Sequence, residues 1–352
     1  MLMLPALTVV IPTRARARTS LGPLRSLGEQ TAENRFEVVV AVDGAADSEL
    51  MGLSPAGFPF PLRVVESTVC GAAAARNRGA AEARGHLILF LDDDMQAGPG
   101  LVEAHLEAHQ SGRDAVVLGN FTLPDADGPE DRLQVEIRKW WDRHFRELAS
   151  PSHGFTFRDF CTGNVSLRRG LFLEAGGFDE RFGRSAAGED WEFGLRLLER
   201  GIPFVFAPAA RSTHHSRASL GKTLARAFEE GRGHVLMSQI CPGMLWDMPL
   251  ARLAAFQARP LVAATLRSMW RAWSADRAGA WLDRLRGLRR NPRVPDCAWW
   301  LYRAAQAYFY WLGVRSAVPS YDGWRALWAN AESARLSGKS PSRCLAGRVH
   351  PS

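Results

Sequence analysis

An α/β fold, with a doubly wound and mostly parallel sheet followed by a basic α-helical region, is what this sequence predicts. Three observations lead there. Strand-like and helix-like patterns alternate through residues 1 to about 110, the pattern of parallel strands joined by crossover helices. The segment His86–Leu91 is apolar on both faces, as a strand between two helix layers must be. Composition then breaks near residue 216: 23 basic and 29 acidic residues precede the break, whereas 21 basic and 8 acidic residues follow it, with nine of the twelve tryptophans. Two domains are therefore expected, 1–216 and 217–352, in keeping with about 100 to 200 residues per domain.

The elements follow in order. Leu7–Ile11 reads as the first strand. It is not a secretory leader, because no basic residue precedes its apolar run and Pro12-Thr13-Arg14 follows where a small-residue cleavage site would stand. Leu21, Leu24 and Leu27 repeat at helical spacing, Phe36–Val42 and Leu62–Val65 are strands, and Gly71 introduces a small-residue helix, Ala72–Ala83. After His86–Leu91, Pro99 opens a helix, Ala115–Leu118 is a fifth strand, and Asp131–Leu148 is a longer helix carrying Trp140 and Trp141. Asn164–Leu167 is a strand, Gly176–Glu180 a turn, Glu189–Arg200 a helix ended by Gly201, and Phe204–Phe206 a short strand. Beyond His215 the pattern is helical and Arg-rich, broken by prolines at 242, 249, 260, 292, 295 and 319. No window holds about 18 apolar residues without a charge. Cys297–Val314 comes nearest and contains Arg303. The five cysteines are scattered and form no C-x-x-C pair, which argues against a disulfide framework or a zinc site and for a reducing, cytoplasmic compartment.

Asp92, Asp93 and Asp94 close the His86–Leu91 strand, at the end of a parallel sheet where ligands bind. Clustered carboxylates repel one another, so a cation is expected, and all-oxygen ligation suits Mn2+ or Mg2+. Helix capping is the plainer reading, but the next helix begins too late for the triplet to reach its amides. Glu189-Asp190 opens a helix, whose positive end favours an ionised carboxylate that can serve as a general base. His214 and His215 follow the last strand; in extended backbone their rings point to opposite sides, so one at most faces a metal. His214 is the preferred ligand. Pro12, Thr13, Arg14 and Asp43 end the first two strands on the same edge, where a base and ribose fit, and Arg76 and Asn77 offer a cation and an amide to a nucleotide.

In their order, these segments resemble the family 2 glycosyltransferases of the GT-A fold. The matches are Val9-Val10-Ile11-Pro12-Thr13, Glu37 to Asp43, Ala75-Arg76-Asn77-Arg78-Gly79 with Gly85, Phe90-Leu91-Asp92-Asp93-Asp94, and Gly176 to Glu180 leading to Gly188-Glu189-Asp190-Trp191-Glu192. The resemblance covers about residues 7 to 215. It implies that Asp43 contacts the base and that Asp92 and Asp94 are the D-x-D motif, with Asp94 on the metal and Asp92 nearer the ribose. It further implies Asp190 as catalytic base beside Glu189, His214 or His215 completing the metal shell, Asp92 and Asp93 on the donor, and Gly163, Asn164 and Trp191 on the acceptor side. Gly44 departs from the family, which usually has a second aspartate there. The Q-x-x-R-W motif and multiple spans of the processive synthases are missing, so the resemblance implies single-sugar addition. An inverting transfer from a UDP-, GDP- or dTDP-linked sugar to a glycan or lipid-linked acceptor in cell-envelope or exopolysaccharide synthesis is the resulting expectation. A sugar nucleotidyltransferase or a metal-dependent phosphohydrolase on a similar sheet is the alternative, and it lacks the glycine-rich, lysine-containing loop after the first strand. For the basic, Trp-rich region, packing on the catalytic domain and peripheral binding to an anionic membrane's inner face stand level. Nucleic acid comes behind both, for want of a binding motif.

Overall fold

The computed structural model describes residues 4–14, 17–32, 35–45, 50, 52–53, 55–124, 132–183, 187–215, 219–251 and 295–338. The chain divides into two compact units, one of residues 1–184 and 189–218, the other of 185–188 and 219–352. The first unit carries an eight-stranded sheet. Its strands are β1 (Leu7–Thr13), β2 (Phe36–Asp43), β3 (Leu62–Ser67), β4 (Leu87–Leu91), β5 (Met95–Ala97), β6 (Val116–Thr122), β7 (Asn164–Arg168) and β8 (Phe204–His214). Their order is β3-β2-β1-β4-β7-β6-β8-β5. Pairings β1–β2, β1–β4, β2–β3 and β6–β8 are parallel, while β7 runs against β4 and β6, and β5 against β8. The result is an α/β fold with a mixed sheet in which only β5 and β7 are reversed.

Alternation along the strands builds both layers. Leu7, Val9 and Ile11 of β1 join Val38, Val40, Val42, Leu89 and Leu91 in one buried layer, with Leu24 and Leu27 of α1 (Ala17–Leu27) and Leu101 and Val102 of α3 (Leu101–Ala108). Val10, Ile88, Phe90, Val165 and Leu167 point the other way, onto Ala73 and Ala80 of α2 (Ala72–Glu82), Phe172 of α5 (Arg169–Glu174) and Phe193 of α6 (Glu189–Glu199). Gly79 lets α2 lie close on the sheet: a Cβ there would overlap a Val10 methyl group and stand 3.2 Å from that of Ala41. The glycine of the Arg76-Asn77-Arg78-Gly79 segment thus has a packing reason. Helix α4 (Arg132–Leu148) lies beside β6.

Two elements differ from expectation. Strand β8 runs to His214 instead of stopping at Phe206. Pro208 lacks the N–H that a ladder needs, and the strand absorbs it in an irregularity: β6 advances from Leu118 to Asn120 while β8 advances from Phe206 to Arg211. The three-residue β5, too short for an alternation signal, pairs with the far end of β8.

The second unit is helical: α7 (Leu220–Ile240), α8 (Pro295–Ala317) and α9 (Tyr321–Leu336). Ser219 and Ser320 cap α7 and α9, accepting from Lys222 and Gly323 amides at 3.2 and 3.0 Å. Gly231 of α7 and Gly313 of α8 let the two backbones meet, since a Cβ at either would overlap the Tyr310 or the Phe228 carbonyl. Trp311 and Trp324 are buried and meet edge to face at 6.4 Å. These two fill a helical core. Trp270 and Trp273 lie outside the described residues. Among the described residues no helix is long and apolar enough to cross a membrane.

Candidate active site

The aspartate triplet sits in the turn between β4 and β5, closed by the Met95 amide donating to the Asp92 carbonyl at 3.0 Å. Each carboxylate goes to a different element, which relieves their mutual repulsion. Asp92 Oδ1 accepts from Arg76 Nη2 of α2 at 2.9 Å, Asp93 Oδ2 accepts from Thr13 Oγ1 of β1 at 2.7 Å, and Asp94 Oδ2 lies 3.1 Å from His214 Nε2 of β8. His214 is paired with Met95 across β5 and β8, and its ring reaches the neighbouring Asp94. His215 turns the other way, 2.8 Å from Gln96 Oε1, while its amide donates to the Asp94 carbonyl.

Arg76 is 5% exposed and reaches a second carboxylate, Glu189 Oε1, at 3.1 Å. Burial opposes its charge, but Asp92, Glu189 and Asp190 outweigh burial and raise its pKa above the usual value. Glu189, 4% exposed, opens α6, and its Oε2 is buried without a hydrogen-bond partner. Asp190 follows, accepting the Trp191 amide on Oδ1 at 2.9 Å. A cluster of phenylalanines (Phe90, Phe160, Phe172, Phe178, Phe193) holds α6 against the sheet, with ring centroids 4.9–6.4 Å apart. The Arg76 guanidinium lies 5.7 Å from the Phe178 ring.

At the ends of β1 and β2, Asp43 accepts the Gly71 amide at 2.8 Å and lies 3.8 Å from Arg14 Nε. Pro12 is buried in β1 beside Thr13. Asn77, expected on the donor, instead exchanges two hydrogen bonds of 2.9 Å with the Phe178 backbone and holds the turn after Gly176-Gly177. Gly177 has φ 65°, and a Cβ there would come within 2.7 Å of Asn77 Oδ1. Arg196 fixes the same turn, donating to Glu192 at 2.6 and 2.7 Å and to the Ala175 and Gly177 carbonyls.

Of the residues expected on the acceptor side, Gly163 packs behind the triplet: its carbonyl accepts the Asp92 amide at 3.3 Å, and a Cβ would stand 2.7 Å from Met95 Cε. Asn164 is buried, because its amide ties three strands together. It donates to the Asn120 and Ala210 carbonyls at 3.1 and 3.0 Å and to Ser212 Oγ at 3.2 Å. Its oxygen faces His105 Nε2 at 2.8 Å. Trp191 is half-buried, edge-on to Phe157 at 5.8 Å.

Ser166 Oγ lies between His105 Nδ1 and His109 Nε2, at 2.8 and 2.9 Å. Burial pushes both imidazoles down to about 4; Asn164 opposes this at His105, and Ser166 and Asp114 oppose it at His109, where His86 adds to the lowering. Unfolding returns each to its ordinary pKa of about 6.5. The unfolded chain then binds more protons between these values, so the contribution of these rings is full above about pH 6.5 and is lost as pH falls toward 4. The urea midpoint is expected to drop between about pH 7 and about pH 5, and His105→Gln to flatten that drop; equal slopes for both proteins would remove His105 as its source.

Comparison with known proteins places the chain in a family. The sequence model described as "Glycosyl transferase family 2" matches residues 8–176. An uncharacterized glycosyltransferase of Haemophilus influenzae is 36% identical over 223 residues, covering 60% of this chain and 70% of that protein. The chain belongs to glycosyl transferase family 2. Another relative, the validoxylamine A glucosyltransferase of Streptomyces hygroscopicus subsp. jinggangensis, is 35% identical over 227 residues, 57% of this chain. The chain spans about half of that relative's length, 53%. Among solved structures, the mannosyltransferase PcManGT from Pyrobaculum calidifontis, in complex with GDP-Man and Mn2+, shares the fold at a TM-score of 0.54 and 19% identity, covering 89% of this chain and 87% of that one.

Within this family 2 chain the three expected metal ligands do not form one cluster. Asp92 turns to Arg76, which neutralises it, and among the described residues no group of three His, Cys, Asp or Glu side chains converges. Asp94 and His214 do fit a divalent ion. Asp94 Oδ2 and His214 Nε2, 3.1 Å apart, are the carboxylate oxygen and imidazole nitrogen that would hold it, and Mg2+ is commonly bound through one or two carboxylates with substrate phosphates and waters. His214 Nδ1 is buried without a partner. Sequence reasoning missed the tie from Thr13 to Asp93 and the double role of Arg76, for both need the sheet order to bring distant segments together.

Proposed function

We propose that this chain is an inverting, metal-dependent glycosyltransferase. It moves one sugar from a nucleoside diphosphate sugar to a hydroxyl of a glycan or lipid-linked acceptor in cell-envelope or exopolysaccharide synthesis. One observation carries the reading: a single buried guanidinium, Arg76, bonds both Asp92 of the triplet and Glu189, so the donor end and the residue next to Asp190 share one support. Thr13, Asp43 and Asp92 hold the nucleoside, with Arg14 and Asp93 beside them. Asp94 and His214 would hold Mn2+ or Mg2+, which when bound neutralises charge on the departing diphosphate. Asp190 takes the proton of the acceptor hydroxyl as its oxygen attacks the anomeric carbon. Attack opposite the leaving group inverts that centre. The GDP-Man and Mn2+ of the mannosyltransferase that shares the fold accord with this donor class.

Calorimetric titration of UDP, GDP and dTDP, each with Mn2+ and with chelator, tests the reading. One nucleotide is expected to bind, and only with metal. In Asp94→Ala and His214→Ala the gain from metal is expected to fall about tenfold or more. Equal affinities with and without Mn2+ in the parent protein would remove the metal from the proposal, and no binding of any nucleotide would remove the donor site.

A further inference from the structure

Trp140 is the one large aromatic side chain that the described part of the first unit leaves exposed, at 55%. It is not an isolated surface residue. The His144 imidazole stacks on it one helical turn along α4, with planes 8° apart and centroids at 5.4 Å. Trp141 meets its edge at 4.6 Å. From there Trp141 touches Phe121 of β6 at 4.5 Å, and Phe121 touches His214 at 5.4 Å. Three ring contacts therefore join an open indole to the histidine that faces Asp94. Tryptophan is highly buried on average, and this exposed indole is braced by ring contacts on two sides.

The sheet order says which substrate that contact serves. Thr13, Asp43 and Asp92 stand at the ends of β1, β2 and β4, whereas Phe121 and His214 stand on β6 and β8, across β7. A transfer that places its nucleoside on the first half, and its diphosphate at Asp94 and His214, leaves β6 and the helix beside it to the acceptor. An indole face is electron-rich and attracts the weakly positive C–H face of a sugar ring. Lys139 precedes Trp140 on the same helix, and Arg143 follows Trp141 by two residues. Resting on the glycosyltransferase reading, we propose that Trp140, backed by His144, is a sugar-stacking platform that binds a ring of an oligosaccharide acceptor some distance from the reacting hydroxyl.

The test is tryptophan-fluorescence titration with glucose, N-acetylglucosamine and mannose, and with maltotetraose, chitotetraose and mannotetraose, in the presence of Mn2+ and the nucleotide that binds. At least one tetrasaccharide is expected to bind more tightly than its monosaccharide. Its affinity should fall about tenfold in Trp140→Ala and be largely kept in Trp140→Phe, with nucleotide affinity unchanged in both. Because the chain has twelve tryptophans, the same affinities are also read by calorimetry. Tetrasaccharide binding that Trp140→Ala leaves intact, or no tetrasaccharide binding to the parent protein, overturns the platform. Binding to anionic vesicles that Trp140→Ala abolishes assigns the indole to a lipid surface and also overturns it. Loss of nucleotide binding in the parent protein instead defeats the transferase reading itself, so the two failures are distinguishable.

Discussion

Asp190→Asn is expected to cut sugar transfer by about 10²- to 10⁴-fold while leaving nucleotide affinity and the unfolding midpoint close to those of the parent protein. The amide keeps an oxygen to accept the Trp191 N–H, the local bond that Asp190 makes at 2.9 Å, so the first turn of α6 is preserved. What it loses is the ability to take a proton at the moment of attack. Initial rates of nucleotide release with saturating donor, alongside calorimetric nucleotide binding, separate the two. Transfer within threefold of the parent would take the base role away from Asp190; parallel loss of nucleotide binding would mean that it supports the donor site instead.

Arg76→Met is expected to be the most destabilising single change in the site, by about 3–5 kcal/mol, the usual consequence of removing one partner from a buried charge pair. The residue keeps its volume but strands Glu189, which is buried to within 4% and already has one oxygen without a partner. Asp92, a third of whose side chain is exposed, suffers less because water can replace the lost cation. Adding Glu189→Gln to Arg76→Met should therefore recover more stability than adding Asp92→Asn, by the logic of a double-mutant cycle. Urea unfolding of the parent and of the three variants measures this. A cost below about 1 kcal/mol for Arg76→Met would show that the guanidinium is not the main support of Glu189.

Much of the fold was readable because burial on two faces leaves a strong mark. β4 is a continuous apolar run, β1 and β2 contain the runs Val9–Pro12 and Val38–Val42, and the triplet after β4 marks its own position at the sheet end. The helix Glu189–Glu199 declared itself through an acidic start and a glycine stop. What could not be read depends on contacts between segments far apart in the chain. Asn77 and Asn164 are polar residues near the site in sequence, and both turn inward, because a backbone turn and a three-strand junction need their hydrogen bonds more than a ligand does. Arg76 was assigned to the donor on its charge, whereas its second partner lies 113 residues away. Phe204–Phe206 reads as a short strand by itself, and only the neighbouring β6 reveals that the ladder resumes beyond Pro208.

That resumption has an odd count. Between the two paired stretches β8 uses five steps where β6 uses two, and an odd surplus exchanges the two sides of a strand, since side chains alternate residue by residue. Which of two adjacent, chemically identical histidines meets Asp94 is therefore decided neither by His214 nor by His215, but by the number of residues spelled out around Pro208. The detour works as a parity bit: lengthen or shorten it by one, and the imidazoles trade places without either having changed.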